Sequence, residues 1–318
     1  MSQATSPHSP KWTAADIPDL TGRIFVVTGA SSGLGLATTR ELARHGAHVV
    51  LAVRDEAKGG RAAAGITAEV PGASLDVRRI DLADLDSVRE FADKLRADHP
   101  HLDVLVNNAG VMAPPLTLSA QGHELQFAAN HLGHFALTGL LLDRLAAGRG
   151  PRVVTVSSLM HRRGRIDFEA LEHGYGAGRR YAPSAAYNQS KLVNTVFGHE
   201  LHRRLTAAGS PVRSVLGHPG YSRTNLQGDT AVALVRWVYG KIASPLFAQP
   251  AAAGALPQLY VATVPGVDGG AFYGPDGAGE LRGAPKPVPY APAATDPGTG
   301  RRLWELSERL TGVRFPLG

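Results

Sequence analysis

The feature that most constrains the fold is a rhythm of short apolar segments alternating with longer amphipathic ones. Residues 24–28, 48–53 and 153–156 are almost continuously apolar, whereas a half-exposed strand would be apolar at every second position. Continuous apolar runs are typical of parallel strands that helices cover on both faces. The sequence therefore predicts an α/β fold, a doubly wound, Rossmann-like parallel sheet of about seven strands.

The rhythm also predicts the domain organisation. The chain has 318 residues, enough for one large domain, and shows no internal repeat. We predict a flexible, Pro/Ser-rich tail over residues 1–19 and a single domain over residues 20–318. Residues 161–183 break the rhythm and, with residues 111–118 and about 224–250, are predicted to border the substrate. Residues 224–250 are predicted to form an amphipathic lid or, as an equal alternative, a core or oligomer-contacting helix, and a membrane-surface helix is a further alternative. The Pro/Gly-rich residues 274–300 are predicted to be loop.

Composition excludes several kinds of site. There is no cysteine, so disulfides, thiolate nucleophiles and cysteine-bound metals are ruled out. The 13 histidines show no metal-binding spacing, and we predict no metal. The net charge is +6, but the arginines are scattered, so we predict no nucleic-acid partner. No apolar run approaches the roughly 20 residues that span a bilayer, and no signal peptide is evident. The predicted location is the cytoplasm.

A glycine-rich turn predicts a nucleotide site. The sequence TGASSGLG, residues 28–35, follows the first strand and opens a helix. Glycines at 29, 33 and 35 let the backbone approach a diphosphate closely, and the helix N-terminus favours negative charge. The alternative is a tight strand–helix connection without a ligand.

The end of the second strand bears on cofactor choice. Sites for NAD(H) usually place an acidic residue there to bind the ribose 2′-hydroxyl. This chain has Val53 followed by Arg54, and arginine can pair with a 2′-phosphate instead. We therefore predict NADP(H) rather than NAD(H). The open alternative is that Arg54 is solvated and that Asp55 binds the 2′-hydroxyl.

A tyrosine and a lysine lie four residues apart in a predicted helix over 184–205. Tyr187 and Lys191 would share one helical face, about one turn apart. An ammonium group near a phenol stabilises the phenolate, so the pattern predicts a lowered pKa of Tyr187 and a proton donor that works near neutral pH. The alternatives are an inert surface pair or a packing tyrosine.

These motifs, in this order, resemble the short-chain dehydrogenase/reductase family. The resemblance covers roughly residues 20–225 and rests on the glycine turn, Asp81-Leu82, the NNAG run at 107–110, Asn130, Ser157-Ser158, Tyr187-x-x-x-Lys191, and Pro219-Gly220 followed by Thr224. The HPG sequence at 218–220 and the terminal LWELSERLTG are similar to the retinol-dehydrogenase-like branch of that family.

The resemblance implies residue roles. Tyr187 would be the general acid/base, Ser158 would hold the substrate oxygen, and Lys191 would bind the nicotinamide ribose. Asn130 would bind a water linking Lys191 to solvent. The long gap before Tyr187 leaves Ser157 as a competitor of Ser158. The implied cofactor-binding residues are Gly29, Ser31, Ser32, Gly33, Leu34, Gly35, Arg54, Asp81, Leu82, Asn108, Ala109, Gly110, Tyr187, Lys191, Pro219, Gly220 and Thr224.

The resemblance implies a ketoreductase or alcohol dehydrogenase that uses NADP(H) on a hydrophobic carbonyl or alcohol. One alternative is a double-bond reductase similar to protochlorophyllide reductase, which the absence of cysteine disfavours. Another is a non-catalytic dinucleotide sensor, which would not need Ser158, Tyr187 and Lys191. Both a monomer and a homo-oligomer, dimeric or tetrameric, are compatible with the sequence.

Overall fold

The computed structural model describes residues 11–175, 180–221 and 249–317. These residues form one sheet whose strands are β1 (Ile24–Thr28), β2 (His48–Val53), β3 (Ser74–Arg79), β4 (Val104–Asn107), β5 (Arg152–Val156), β6 (Arg213–Gly217), β7 (Phe272–Pro275) and β8 (Pro285–Pro287). The order across the sheet is β3-β2-β1-β4-β5-β6-β7-β8, and every pair is parallel except β7–β8. This confirms the predicted doubly wound fold. The strand order reverses between β1 and β4, where such sheets open a ligand crevice.

The helices follow the strands in the predicted alternation. They are α1 (Gly33–Arg44), α2 (Glu56–Glu69), α3 (Leu85–Asp98), α4 (Leu125–Phe127), α5 (Gly133–Ala146), α6 (Phe168–His173), α7 (Pro183–Ala207), α8 (Ala251–Gly254), α9 (Leu256–Thr263) and α10 (Pro297–Thr311). A π-helical turn, Ala128–Leu132, joins α4 to α5. Short 3-10 turns lie at Ala14–Asp16, Leu159–Arg163, Ala278–Glu280 and Pro292–Ala294.

Both faces of the sheet are buried, which explains the continuous apolar runs. Phe25 and Val27 of β1 pack in the layer that contains α1 and α9, while Val26 packs in the layer that contains α3, α5, α7 and α10. Successive side chains of a strand point to opposite faces, so both sets must be apolar. The two layers cover the faces of the sheet, so a site can form only at the ends of its strands.

The sequence missed strand β8. Pro285–Pro287 lies in the Pro/Gly-rich stretch that was predicted to be loop, yet it pairs antiparallel with β7. Proline lacks an N–H and is confined to strands at a sheet edge, where it removes few ladder hydrogen bonds. The proline content was therefore a signal of an edge strand as well as of a loop.

Part of the predicted tail contacts the folded domain. Within residues 11–19, the Trp12 ring lies 5.2 Å from the Tyr260 ring, and Ile17 is buried in the α1 and α9 layer. The ordered domain therefore begins before residue 20. The predicted lid over about 224–250 lies almost wholly outside the described residues. No helix among the described residues is both long enough and apolar enough to cross a bilayer.

An aromatic cluster beneath the sheet contains a buried histidine. The His131 ring stacks 5.4 Å from Phe127 and lies 5.9 Å from Phe135. Ser307 Oγ donates to Leu303 O at 2.8 Å, so it accepts from His131 Nε2, also at 2.8 Å. Burial lowers the pKa of His131 to about 3, so the ring stays neutral in the folded chain at neutral pH.

Replacing His131 with Phe should make stability less sensitive to acid. The folded pKa lies below the unfolded value of about 6.5, so the histidine's contribution is complete above that pH and is lost as the pH falls toward 3. Between pH 6.5 and 5, this histidine should lower the free energy of unfolding of the wild type by about 2 kcal/mol. His131→Phe should lack this contribution. Urea unfolding at several pH values measures it. The exposed His173→Gln is the control, and parallel curves for wild type and His131→Phe would contradict the expectation.

Candidate active site

The predicted phosphate-binding turn lies between β1 and α1 at the carboxyl edge of the sheet. Gly29 and Gly33 have φ angles of 68° and 56°, which glycine adopts without strain. A Cβ on Gly35 would lie 2.4 Å from the Gly29 carbonyl oxygen, so only glycine fits there. Ser31, Ser32 and Gly33 are partly exposed, while Leu34 is buried. The turn thus presents backbone to the crevice, as a dinucleotide diphosphate requires.

One hydroxyl joins this turn to the segment after β4. Thr28 Oγ1 accepts hydrogen bonds from the backbone N–H of Asn108 and of Ala109, both at 2.9 Å. Asn108 Nδ2 donates to Thr28 O at 2.7 Å. The structure therefore brings the predicted residues at 28–35 and 108–110 side by side.

The tip of β2 carries an available cation. Arg54 is exposed and has no ion-pair or hydrogen-bond partner within the described part of the chain. The neighbouring Asp55 is the N-cap of α2, and its carboxylate accepts from Lys58 N at 2.9 Å. Asp55 was the alternative residue for binding the ribose 2′-hydroxyl, and its carboxylate is already used to cap α2.

Asp81 and Leu82 follow β3 at the same edge. Asp81 Oδ1 accepts from Ala83 N at 3.0 Å. The backbone of Leu82 packs against the first turn of α5, where a Cβ on Gly133 would lie 2.3 Å from Leu82 O. Both residues are thereby fixed at the carboxyl edge of the sheet, and their predicted contact with the adenine stays a prediction.

The two candidate serines after β5 have different surroundings. Ser157 is buried, and its hydroxyl donates to Lys191 O at 2.9 Å. Ser158 is partly exposed, and its side chain forms the hydrogen-bonding interaction that lowers the pKa of Tyr187. The geometry therefore favours Ser158 as the serine that shares a substrate oxygen with Tyr187.

Tyr187 and Lys191 lie together on α7. The Lys191 Nζ atom is 5.8 Å from the centre of the Tyr187 ring and donates to Val156 O at 3.4 Å. Both side chains are buried. The predicted shared helical face is therefore present, and the two groups are close to Ser158.

The direction of the Tyr187 pKa shift contradicts the sequence-based prediction. Burial raises the pKa of Tyr187 to about 12, and the interaction with Ser158 only partly opposes it. Burial also lowers the pKa of Lys191 to about 8. Removing a charge from water disfavours the charged form of each group, and this sets the direction of both shifts. Tyr187 is therefore protonated at neutral pH.

Asn130 occupies the π-helical turn Ala128–Leu132. Its Nδ2 donates to Val111 O at 3.0 Å and to Ser190 Oγ at 2.9 Å, while its Oδ1 accepts from Val111 N at 2.7 Å. Ser190 Oγ in turn donates to Tyr187 O at 2.8 Å. Asn130 thus clamps the segment after β4 to the helix of Tyr187. Its predicted role in holding a water stays a prediction.

His134 also belongs to this site, a role that was not predicted from the sequence. Its Nδ1 lies 3.0 Å from Asn130 O and its Nε2 lies 2.9 Å from Thr28 Oγ1. Because the Asn130 carbonyl can only accept, Nδ1 donates to it and Nε2 accepts from Thr28. The ring links the glycine turn to the Asn130 turn. In the sequence, the four-residue spacing between Asn130 and His134 was the signal that could have predicted this contact.

Pro219 and Gly220 follow β6 at the same edge. Gly220 has a φ of 64°, and a Cβ there would lie 2.4 Å from Leu281 O. Pro219 O accepts from Gln249 Nε2 at 2.7 Å. Both predicted residues therefore lie at the carboxyl edge of the sheet, whereas Thr224 lies outside the described residues.

A histidine cluster near the amino end of β2 lies apart from the site. Ligand atoms of His48, Asp76 and His99 lie within 4.8 Å of one another, an arrangement that the sequence reading did not anticipate. Arg78 Nε binds Asp76 Oδ2 at 2.6 Å. The Asp76 carboxylate is therefore already paired with the cation of Arg78.

Comparisons with known proteins place these features in context. The short chain dehydrogenase profile matches residues 23–172. Human retinol dehydrogenase 13 is 40% identical over 298 residues, covering 93% of this chain and 86% of that protein. An uncharacterized protein of Mycobacterium paratuberculosis is 46% identical with a TM-score of 0.80, covering 96% of this chain and 100% of that chain. A short chain dehydrogenase of Escherichia coli CFT073 complexed with NADPH is 25% identical with a TM-score of 0.60, covering 77% and 92%.

The close backbone approach at Gly35 predicts that two glycine-to-alanine substitutions change the stability of the fold in opposite directions. Gly35→Ala should destabilise the fold by about 1–3 kcal/mol, because the new methyl group meets Gly29 O and Asn108 Nδ2. Gly60→Ala on exposed α2 meets nothing within 4 Å and should stabilise by about 0.5–1 kcal/mol. Urea unfolding of both variants measures the two effects. Equal effects would show that the turn tolerates a side chain.

Proposed function

The chain belongs to the short-chain dehydrogenase family, in its retinol-dehydrogenase-like branch, and on that premise we propose an NADP(H)-dependent oxidoreductase. It would transfer a hydride between the nicotinamide and the carbonyl or alcohol carbon of a hydrophobic small molecule. The observation that carries the proposal is the grouping of Ser158, Tyr187 and Lys191 beside the glycine turn. Location in the cytoplasm and the state of assembly stay predictions of the sequence.

The residues at the carboxyl edge fit a nicotinamide dinucleotide. The glycine turn would hold the diphosphate, Arg54 the 2′-phosphate, and residues 108–110 the adenosine side, with Asp81 and Leu82 at the adenine. Pro219, Gly220 and Thr224 would flank the nicotinamide amide. When bound, the dinucleotide supplies or accepts the hydride. The unpaired cation of Arg54 and the engaged carboxylate of Asp55 support NADP(H) over NAD(H).

The chain's own residues would handle the proton. Tyr187 gives its hydroxyl proton to the substrate oxygen as the carbonyl carbon is reduced, and Ser158 donates a hydrogen bond to the same oxygen. The phenolate left behind has the Lys191 ammonium as its neighbouring cation. A tyrosine whose pKa is about 12 carries the proton that reduction requires at neutral pH.

The exposed apolar residues support a hydrophobic substrate. Among the described residues, the exposed large hydrophobic side chains are Leu116, Leu118 and Leu281. Leu116 and Leu118 follow β4, and Leu281 lies between β7 and β8, so all three belong to connections at the carboxyl edge. Exposed apolar side chains on connections at this edge suit an apolar ligand. Relatives named retinol dehydrogenases are consistent with that class.

Tyr187→Phe should abolish turnover but keep cofactor binding. Loss of the proton donor should lower kcat by at least about 100-fold, measured as NADPH oxidation with decanal, retinal and a panel of ketones and enones. NADPH affinity, from fluorescence titration, should stay near the wild-type value. Tyr290→Phe removes another buried hydroxyl, which donates to Gly270 O at 2.8 Å, and is the matched control. Near-normal turnover in Tyr187→Phe would refute the role, and enone-specific turnover in the wild type would reassign the reaction.

Arg54→Ala should selectively weaken the binding of NADPH. Loss of a charge-assisted contact with the 2′-phosphate should raise the KM for NADPH by about 10- to 100-fold and leave the KM for NADH unchanged. Arg61→Ala removes the same charge from exposed α2 and is the control. A parallel rise for both cofactors, or none for either, would remove Arg54 from the cofactor site.

A further inference from the structure

A second network joins three connections at the carboxyl edge. Arg162 lies in the turn Leu159–Arg163, immediately after Ser158, and its guanidinium contacts Glu280 Oε1 and Oε2 at 2.8 and 2.9 Å. Glu280 lies between β7 and β8. Its Oε2 is also 3.0 Å from Nε2 of His218, which follows β6. One carboxylate therefore bridges the connection after β5 to the connection after β6.

The hydrogen bonds define how His218 takes part. Gly220 N donates to His218 Nδ1 at 3.2 Å, so the ring proton is on Nε2 and is donated to Glu280. The ring is buried, and this lowers the pKa of His218 to about 4 against the opposing effect of Glu280. The charged or titratable groups that face it are Glu280, Arg162 and His161. His218 is thus a neutral donor aimed at one oxygen.

The backbone of Glu280 is strained to make this bridge. Its φ is 58°, and Ala113 is the other non-glycine residue with a positive φ in the described part of the chain. A side chain in this region costs free energy and persists where surrounding contacts hold it. The same connection covers the turn after β6, because Tyr221 N donates to Leu281 O at 2.8 Å. A strained residue at the centre of three loops indicates a function for its side chain.

The bridge reaches Ser158 through a short path. His161 N and Nδ1 lie 3.0 and 2.7 Å from Ser158 O. The rings of His161 and His218 both pack edge-on against Phe272, at 5.3 and 5.4 Å. Movement of the Glu280 connection would therefore be transmitted to the backbone that carries the Ser158 hydroxyl.

We propose that Glu280 is a positioning residue, whose carboxylate fixes the Ser158 turn relative to the turn of Pro219 and Gly220 through Arg162 and His218. This inference rests on the proposed function, since that function places substrate oxygen at Ser158 and nicotinamide at Pro219. Glu280 itself touches neither. It sets the distance between the two turns that must hold substrate and cofactor together.

Glu280→Gly separates this role from simple stabilisation. Glycine relieves the backbone strain and so offsets part of the stability that is lost when the buried His218 Nε2–H loses its acceptor. The kcat for NADPH oxidation with the best aldehyde of the panel should fall about 10-fold. Hydrogen exchange over residues 157–163 and 218–221 should become about 10-fold faster in both turns. Ala278→Gly adds flexibility to the same exposed connection without touching the bridge and should change neither quantity.

A double-mutant cycle provides the second measurement. If Arg162 acts through Glu280, the exchange effects of Arg162→Ala and Glu280→Gly should be strongly non-additive. Unchanged exchange over residues 157–163 in Glu280→Gly, an equal effect of Ala278→Gly, or additive effects would each overturn the inference. Hydrogen exchange is measured without substrate. A wild type that oxidises no NADPH would therefore contradict the proposed function, while the exchange test of Glu280 would still apply.

Discussion

The structure depends on the close contact of two backbone segments where β1 turns into α1. Gly35 brings the first turn of the helix against Gly29 O, and Thr28 ties the same turn to the segment after β4. These contacts are made by backbone atoms, the Thr28 hydroxyl and the Asn108 side-chain amide. The sheet order reverses at that point, so a crevice there is a property of the topology, and the three glycines of the turn add no side chain to it.

Burial controls the pKa values of the two ionisable groups on α7. It favours the neutral form of both Tyr187 and Lys191, raising one pKa to about 12 and lowering the other to about 8. In the proposed reaction, Tyr187 would hold its proton until the substrate oxygen accepts it. Lys191 would then be the cation next to the phenolate.

The sequence predicted what local patterns control. Apolar runs located β1 to β7, the glycine spacing located the turn, and the four-residue spacing of Tyr187 and Lys191 placed both groups on one face. It failed where distant segments meet. The pairing of β8, the docking of Trp12 on Tyr260 and the contact of Glu280 with His218 join residues far apart in the chain. The pKa of Tyr187 was misjudged because burial is a tertiary property, invisible in the spacing of two residues.

The π-helical turn serves the core and the site at once. Phe127, His131 and Phe135 are spaced four residues apart, slightly more than one α-helical turn each time, and would drift around a regular helix. The π-helical turn Ala128–Leu132 lies within this series, and the ring centres are 5.4 and 5.9 Å apart. The same turn carries Asn130, whose carbonyl oxygen accepts a hydrogen bond from the side chain of His134. One backbone irregularity therefore serves both the aromatic core and the candidate site, and neither can be changed alone.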